Sequence, residues 1–252
     1  MTKFQIYRKG LMVIFAIVPF FILSQKSKNG LTLQFNHYVG EKILTLDDSV
    51  YTNTFNQTFT ITKFNYYIGK IRLTQSNGKE FFLDEYFFIS EDEEKTATKS
   101  VFIDKIPAGE YSSISFIVGV DSLHNCSGAQ SGALDPINAM FWTWNTGYIF
   151  LKLEGKTSAS SLPGNTFEYH IGGYKAPTNS IRTVSMTFKN PLIITPTVNT
   201  KVQIKTDASE LLKTPTPIDF TVLPAVNNAL NATTIADNYI DMFQLLEVMY
   251  EK

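Results

Sequence analysis

The chain has one cysteine in 252 residues. A lone thiol, Cys126, excludes an internal disulfide, so the apolar core must supply the stability that cross-links give small secreted domains. Charge is sparse: 22 basic groups stand against 23 acidic ones, a formal net charge of −1. That balance excludes the basic surplus of a phosphate-backbone binder, and no nucleic-acid partner is expected. Phosphate loops, serine elbows and paired-histidine zinc motifs are missing. Gly128, Gly132, Gly172 and Gly173 allow unusual backbone geometry, but none stands in a strand–glycine–helix nucleotide fingerprint. The expectation is a non-catalytic protein. Tryptophan is scarce, with two residues, and so is histidine, with three.

The apolar runs are short. Leu11 to Leu23 is broken only by Pro19 and follows Lys3, Arg8 and Lys9. A basic lead before such a run has the form of a signal peptide. The run is too short for a comfortable membrane span. Ser24 suits a cleavage position; Ile22, two places earlier, suits it less and leaves an uncleaved anchor as the alternative. Removing 24 of 252 residues leaves 228, and removing three basic groups leaves 19 against 23 acidic, a formal charge of −4. The expected location is the periplasm or the outer face of a bacterial envelope, with no stable membrane insertion once the leader is cleaved. Residues 25–252 are expected to form one domain.

What is abundant is β-branched and aromatic. Leu31, Leu33 and Phe35 alternate with polar residues and lead to His37, a half-buried strand. Phe59 to Ile71 is a second strand, with a bulge or a close approach expected at Gly69. Asn77-Gly78 makes a tight hairpin between Leu73 and Phe81. Phe81 to Ile89 returns, and Glu91 to Lys99 is a solvated connection. Val101 to Ile106, the turn Pro107-Ala108-Gly109 and Tyr111 to Val120 follow. Asp121 to Asn138 is a long loop, of the kind that carries function or moves. Phe141 to Leu153, Phe167 to Ile171, Ile181 to Phe188 and Val202 to Ile204 are further strands. Ile235, Tyr239, Met242, Leu246 and Met249 recur at helical spacing, with Asp237 in the first turn. The expected fold is mostly β, an antiparallel β-sandwich-like domain with a short C-terminal helix.

The segment Met140-Phe141-Trp142-Thr143-Trp144-Asn145 is chemically unusual. As a strand it places Met140, Trp142 and Trp144 on one face. The plain explanation is core packing by large apolar side chains. The second is a soft-metal site, because imidazoles from His37, His124 and His170 and the Met140 thioether suit copper(I) better than magnesium or calcium. Asp121, Asp135 and Glu154 offer a hard-cation alternative, although their spacing is not that of an EF-hand and loop hydrogen bonds explain them equally well.

An ordered set of motifs is similar to the MbnP-like family of periplasmic copper-binding proteins. The set is Phe64-Asn65-Tyr66-Tyr67-Ile68, Gly119-Val120-Asp121-Ser122, Ser127-Gly128-Ala129-Gln130 and Gly132-Ala133-Leu134-Asp135-Pro136. It continues through Met140 to Trp144, Gly147-Tyr148, Lys152-Leu153-Glu154-Gly155 and Tyr169-His170-Ile171-Gly172. The resemblance spans about residues 31 to 245. It implies an exported β-rich protein for copper capture, storage or delivery. It also implies a partner di-haem enzyme that oxidises a tryptophan to kynurenine, at Trp142 or Trp144 here. His170 matches the downstream histidine of the pattern, with His37 and His124 as companions. Met140 joins the candidate set on its chemistry alone. The alternative is a non-enzymatic envelope domain for ligand binding, adhesion or scaffolding.

Overall fold

The computed structural model describes residues 30–91, 99–142 and 147–251. The leader, Trp144 and most of the Glu91–Lys99 connection lie outside those residues. Among the described residues no helix is long and apolar enough to cross a membrane.

Two sheets enclose the main core. The first is built on β1 (Gly30–Val39), with β11 (Asn199–Asp207) on one edge and β13 (Phe243–Glu251) beyond it. Two short strands, β6 (Ser100–Asp104) and β2 (Lys42–Ile43), share the other edge of β1. The second sheet is built on β4 (Thr58–Gln75). One edge of β4 takes β5 (Glu80–Ser90). The other edge takes β8 (Ile149–Lys156) along residues 60–66 and β7 (Gly109–Val118) along residues 68–75. Beyond β8 come β9 (Thr166–Gly172) and β12 (Ala225–Val226), beyond β7 comes β10 (Arg182–Ile194), and β3 (Tyr51–Thr52) also pairs with β4.

Thus β7 and β8 run end to end along one edge of β4. The chain leaves that edge at Val118 and regains it at Ile149. The described residues between, 119–142 and 147–148, form an excursion over the outer face of the sheet.

Alternation explains the core. Phe64, Tyr66 and Ile68 of β4 face inward with Phe35, Leu151, Leu153, Tyr169 and Ile171. Bulges at Ile61/Lys63 and Gly69/Ile71 each shift the alternation by one residue. The inward set therefore runs Phe59 and Ile61, then Phe64 to Ile68, then Ile71 and Leu73. Phe35 stands edge-on to Tyr66, Phe116 and Phe243, with ring centroids 6.1–6.3 Å apart. Such pairs add about 0.5–1.5 kcal/mol each beyond the area they bury.

The expected β-sandwich-like fold is present, with three differences. First, pairing is mixed: β1–β11 and β9–β12 are parallel. Second, the C-terminal helical stripe is split. Helix α2 covers Ala229–Asn238, a 3-10 turn covers Tyr239–Met242, and the rest is β13. Leu246 and Met249 lie on that strand because β11 needs an antiparallel partner, and a ladder outweighs a weak local period. Asp237 therefore stands in the last turn, where it pairs with Arg182 at 2.6 Å. Third, the ends of the Glu91–Lys99 connection are not solvated: Glu91 is buried and bonded to both His37 and Lys99.

His37 lies on the core face of β1. Its Nδ1 is 2.6 Å from Glu91 Oε2, and its Nε2 is 3.0 Å from the Tyr66 hydroxyl. That hydroxyl is 3.3 Å from Thr206 Oγ1. Burial holds the His37 pKa below its ordinary value, against the pull of Glu91. For Glu91, burial pushes upward, but the bonds from His37 and Lys99 win and hold the carboxyl low.

The sign of the pH dependence follows. Unfolded His37 takes up its proton near the ordinary value of about 6.5, whereas the folded chain resists it, so acidification below that point favours unfolding. The low Glu91 carboxyl adds a further loss as pH falls below about 4.5. Thermal melts should show Tm falling from pH 7 to pH 5.5. His37→Asn should lower Tm at pH 7 and flatten that fall. An unchanged slope in the variant would show that the network does not control acid stability.

Candidate functional site

The excursion from Gly119 to Tyr148 forms a second apolar layer on the outside of the β4 sheet. Its buried members are Val120, Leu134, Met140, Trp142 and Tyr148, set on Tyr67, Tyr86, Ile149 and Phe150. Tyr67 belongs to this outer layer because its neighbour Tyr66 points into the core. The Tyr67 ring packs on Phe88 and Tyr148, with centroids 5.6 and 5.8 Å away.

Local chemistry shapes the excursion. Asp121 caps the short helix α1 (Ser122–Cys126) by accepting from His124 N. Asn125 is buried; its Nδ2 donates to Val120 O and Asp121 O, and its Oδ1 accepts from Tyr148 N at 2.8 Å. One amide thus ties the start of the excursion to its end. Gln130 Nε2 donates to His124 O and to the Tyr148 hydroxyl, which itself donates to Leu134 O. Asp135 accepts from Ile137 N at the 3-10 turn Pro136–Asn138, and left-handed Ala139 ends that turn. The Ala139 carbonyl receives Lys152 Nζ at 2.7 Å.

The tryptophan segment is not one strand running on to Leu153. Phe141 bridges Tyr148, Trp142 N donates to Gly147 O, and Ile149 N donates to Met140 O. Residues 140–142 and 147–149 thus form a two-stranded arm, and β8 proper begins at Ile149. A continuous strand was expected from Phe141 to Leu153; the local antiparallel pairing was not. The arm buries Met140 and Trp142, at 1% and 2% exposure. The benzo edge of Trp142 lies over Gly172, where an added Cβ would stand 2.6 Å from the ring. The pyrrole edge differs: Trp142 Nε1 is buried and has no hydrogen-bond partner among the described residues.

Beside Gly172 on the same strand face is His170. Cross-strand register sets Ser90, Asn65, Lys152 and His170 in one row across four strands. The row borders the aromatic layer. His170 Nε2 is 2.8 Å from Glu154 Oε1, and Lys63 Nζ is 3.4 Å from Glu154 Oε2. The His170 bond, helped by Lys63 and opposed by burial, holds the Glu154 carboxyl at about 2. Burial lowers the Lys152 ammonium from its ordinary value.

The six candidate residues separate clearly. Met140, Trp142 and His170 gather on the outer face. His124 lies on that face too, but its ring packs on Tyr86 of β5, with centroids 4.7 Å apart. Strand spacings put the Tyr86 and His170 positions about 20 Å apart in the plane of the sheet. His37 is on the core side of the sandwich with both ring nitrogens engaged. One ion therefore cannot meet all three imidazoles in this arrangement. Trp144 lies outside the described residues. Among the described residues no three His, Cys, Asp or Glu side chains cluster to hold a metal. The hard-cation alternative fails on geometry: Asp121 serves His124 and Lys70, Asp135 caps a turn, and Glu154 serves His170 and Lys63. Cys126 is exposed, with its Sγ 3.4 Å from the Tyr174 hydroxyl.

Sequence reasoning passed over Lys152, Asn125 and Gly172. Family-like motifs contain Lys152 and Gly172 without marking their roles, and Asn125 and Gly172 act through contacts 23 and more residues away.

The class defined by this architecture is a β-sandwich whose outer sheet face is covered by a polar-stapled loop holding a buried tryptophan. The MbnP family model matches residues 28–232, and the chain belongs to the MbnP family. No curated protein matches the sequence. Among solved structures, MbnP from Methylosinus trichosporium is similar over 75% of this chain and 78% of its own, at 15% identity and a TM-score of 0.48.

Gly172→Ala tests the tryptophan seat. The new methyl meets both the Trp142 ring and the Tyr148 carbonyl at 2.6 Å. Overpacking of this kind costs about 1–3 kcal/mol. The variant should melt lower, with tryptophan emission shifted to the red as the indole is displaced. Unchanged emission would mean that Trp142 does not rest on Gly172.

Proposed function

We propose that this protein is an exported copper-binding protein that captures, stores or delivers Cu(I) and does not itself turn over a substrate. The donors are His170 and Trp142 after oxidation to kynurenine, with Met140, from the same buried layer as Trp142, as the soft thioether. The observation that carries the reading is Trp142 Nε1, buried with no hydrogen-bond partner among the described residues, on a ring seated over Gly172, two residues from His170 on the same strand face.

The donor set fits the ion. Copper(I) favours imidazole and thioether donors and tolerates low coordination, so it does not require a cluster of carboxylates. Intact indole is a poor ligand, because its nitrogen lone pair belongs to the aromatic system. Oxidative cleavage of the C2–C3 bond by the partner enzyme, followed by hydrolytic loss of C2 as formate, would turn that nitrogen into an aniline amine and C3 into a ketone, both able to donate. The nitrogen concerned has no hydrogen-bond partner among the described residues. Phe141 and Tyr148 wall the layer, with ring centroids 5.1 Å apart, and such a wall limits water access and tunes the ion. His124 and His37 are assigned no ligand role in this arrangement. A di-haem partner enzyme is the proposed oxidant, and the periplasm or outer envelope face the proposed location.

A second reading rests on a different place. A groove of about 580 Å³ lies between β10 and β13, lined by Phe188, Pro191, Leu245, Leu246 and Tyr250. It favours a non-enzymatic ligand-binding, adhesion or scaffold role.

Protein isolated from its native envelope should carry close to one copper per chain and a mass change of one oxidised tryptophan, mapped to Trp142 by peptide sequencing. Trp142→Phe should lose the mass change and most of the copper. His170→Ala should keep the mass change and bind Cu(I) at least about tenfold more weakly, the scale expected when a ligand site is disturbed. Absence of tight copper from both the unmodified and the native protein would end this reading. Metal-independent capture of a defined glycan or protein would favour the second.

A further inference from the structure

The three histidines differ in which nitrogen remains open, and the difference points to one atom. An ionised carboxylate offers only acceptor atoms, so the ring nitrogen facing it must carry the hydrogen. His37 donates from Nδ1 to Glu91, and the Tyr66 hydroxyl lies against its Nε2. No lone pair is left. His124 donates from Nδ1 to Asp121 at 2.8 Å and keeps Nε2, but it stands over Tyr86, far from the tryptophan. His170 is the reverse case. Its Nε2 faces Glu154 at 2.8 Å, and its Nδ1 has no partner among the described residues.

Register fixes the direction of that bond. Lys152 is opposite His170, and Glu154 is opposite Glu168, two residues toward the start of β9. Gly172, under Trp142, is two residues the other way. Nε2 is therefore drawn to the side away from the indole. Lys63 holds the far oxygen of Glu154 and keeps the carboxylate in place.

We infer that Glu154 is a positioning residue: by accepting the Nε2 hydrogen it fixes the ring and tautomer of His170 and leaves Nδ1 as the one imidazole atom able to ligate a metal at the Trp142 face. The inference rests on the copper reading of the same site for its use, but the ring state exists in the metal-free chain and is measurable there. A metal-ligating histidine commonly donates its other N–H to a carboxylate, and loss of that partner typically weakens metal binding 10–100-fold.

The test uses the metal-free full protein, 15N-labelled at histidine, at neutral pH. In the wild type, long-range 1H–15N spectra should assign His170 as protonated at Nε2, with a slowly exchanging downfield Nε2–H and an unprotonated Nδ1. Glu154→Leu should lose that slow proton while the melting temperature stays near wild type. Glu154→Gln, whose amide oxygen still accepts, should retain part of it. Cu(I) competition titrations should then show 10–100-fold weaker binding in Glu154→Leu and a smaller loss in Glu154→Gln. An Nδ1–H tautomer in the wild type would overturn the inference. So would wild-type Cu(I) affinity in a folded Glu154→Leu. If the expected tautomer is found and the wild type holds no copper, the copper reading fails and the positioning of His170 by Glu154 stands.

Discussion

Consecutive residues of a strand point to opposite faces, and in β4 that constraint divides the molecule. Tyr66 joins the core between the sheets; Tyr67 joins the layer outside. His37 follows Tyr66 into the sandwich, where Glu91, Lys99 and Thr206 complete its network. Trp142, Met140 and His170 follow Tyr67 to the outer face. The two bulges in β4 are what let this division hold: each shifts the alternation by one residue, so a strand of 18 residues keeps an apolar inner face along its whole length. A one-residue slip between the bulges would exchange Tyr66 for Tyr67 and carry the outer layer into the core.

The same strand explains why the site is a loop on a rigid frame. With β7 and β8 end to end on one edge, the chain has to leave the sheet between them. It then lies across a face that already presents Tyr67, Phe88 and Phe150. Buried polar groups in such a layer need partners, and Asn125 supplies them at both ends of the excursion. Lys152 does the same for the Ala139 carbonyl, at the cost of a desolvated ammonium. The loop is thus held by side chains from within itself and from the sheet, and Trp142 is positioned by both.

Much of the frame was legible in the sequence because its signals are local. Alternation marked β1, Asn77-Gly78 marked the β4–β5 hairpin, and Gly69 marked a bulge one residue from left-handed Lys70. The failures share a cause. Met242, Leu246 and Met249 keep helical spacing, yet β11 recruits most of that stretch as a strand. Met140 to Trp142 has strand character, yet it pairs with residues 147–149 instead of continuing to Leu153. The parallel β1–β11 pair joins positions about 170 residues apart and leaves no local trace. For the site, residue chemistry singled out His170, Trp142 and Met140, but nothing local separated them from His37. Glu91, which engages that ring from 54 residues away, was read as the start of a solvated loop.

Two buried donors of the outer layer, the Trp142 indole N–H and the Tyr67 hydroxyl, have no hydrogen-bond partner among the described residues. Leaving a buried donor unpaired costs about 1–3 kcal/mol. Phenylalanine would fill much of the same volume over Gly172 without that cost, and the neighbouring Phe141 and Phe150 show that the layer accepts it. An orphan hydroxyl such as that of Ser180 can turn toward a weak acceptor; an indole N–H has one direction fixed by the ring. The backbone N–H of Trp142 is satisfied by Gly147, so poor folding of the arm is not the cause. Violations at well-held side chains are expected where a sequence answers to function as well as stability. The Trp142 nitrogen has no acceptor among the described residues, while His170, on the strand under the indole, is held through Nε2 by Glu154. In the proposed copper reading, the imidazole held by Glu154 and the indole over Gly172 are the two groups that oxidation after folding would turn into a donor pair.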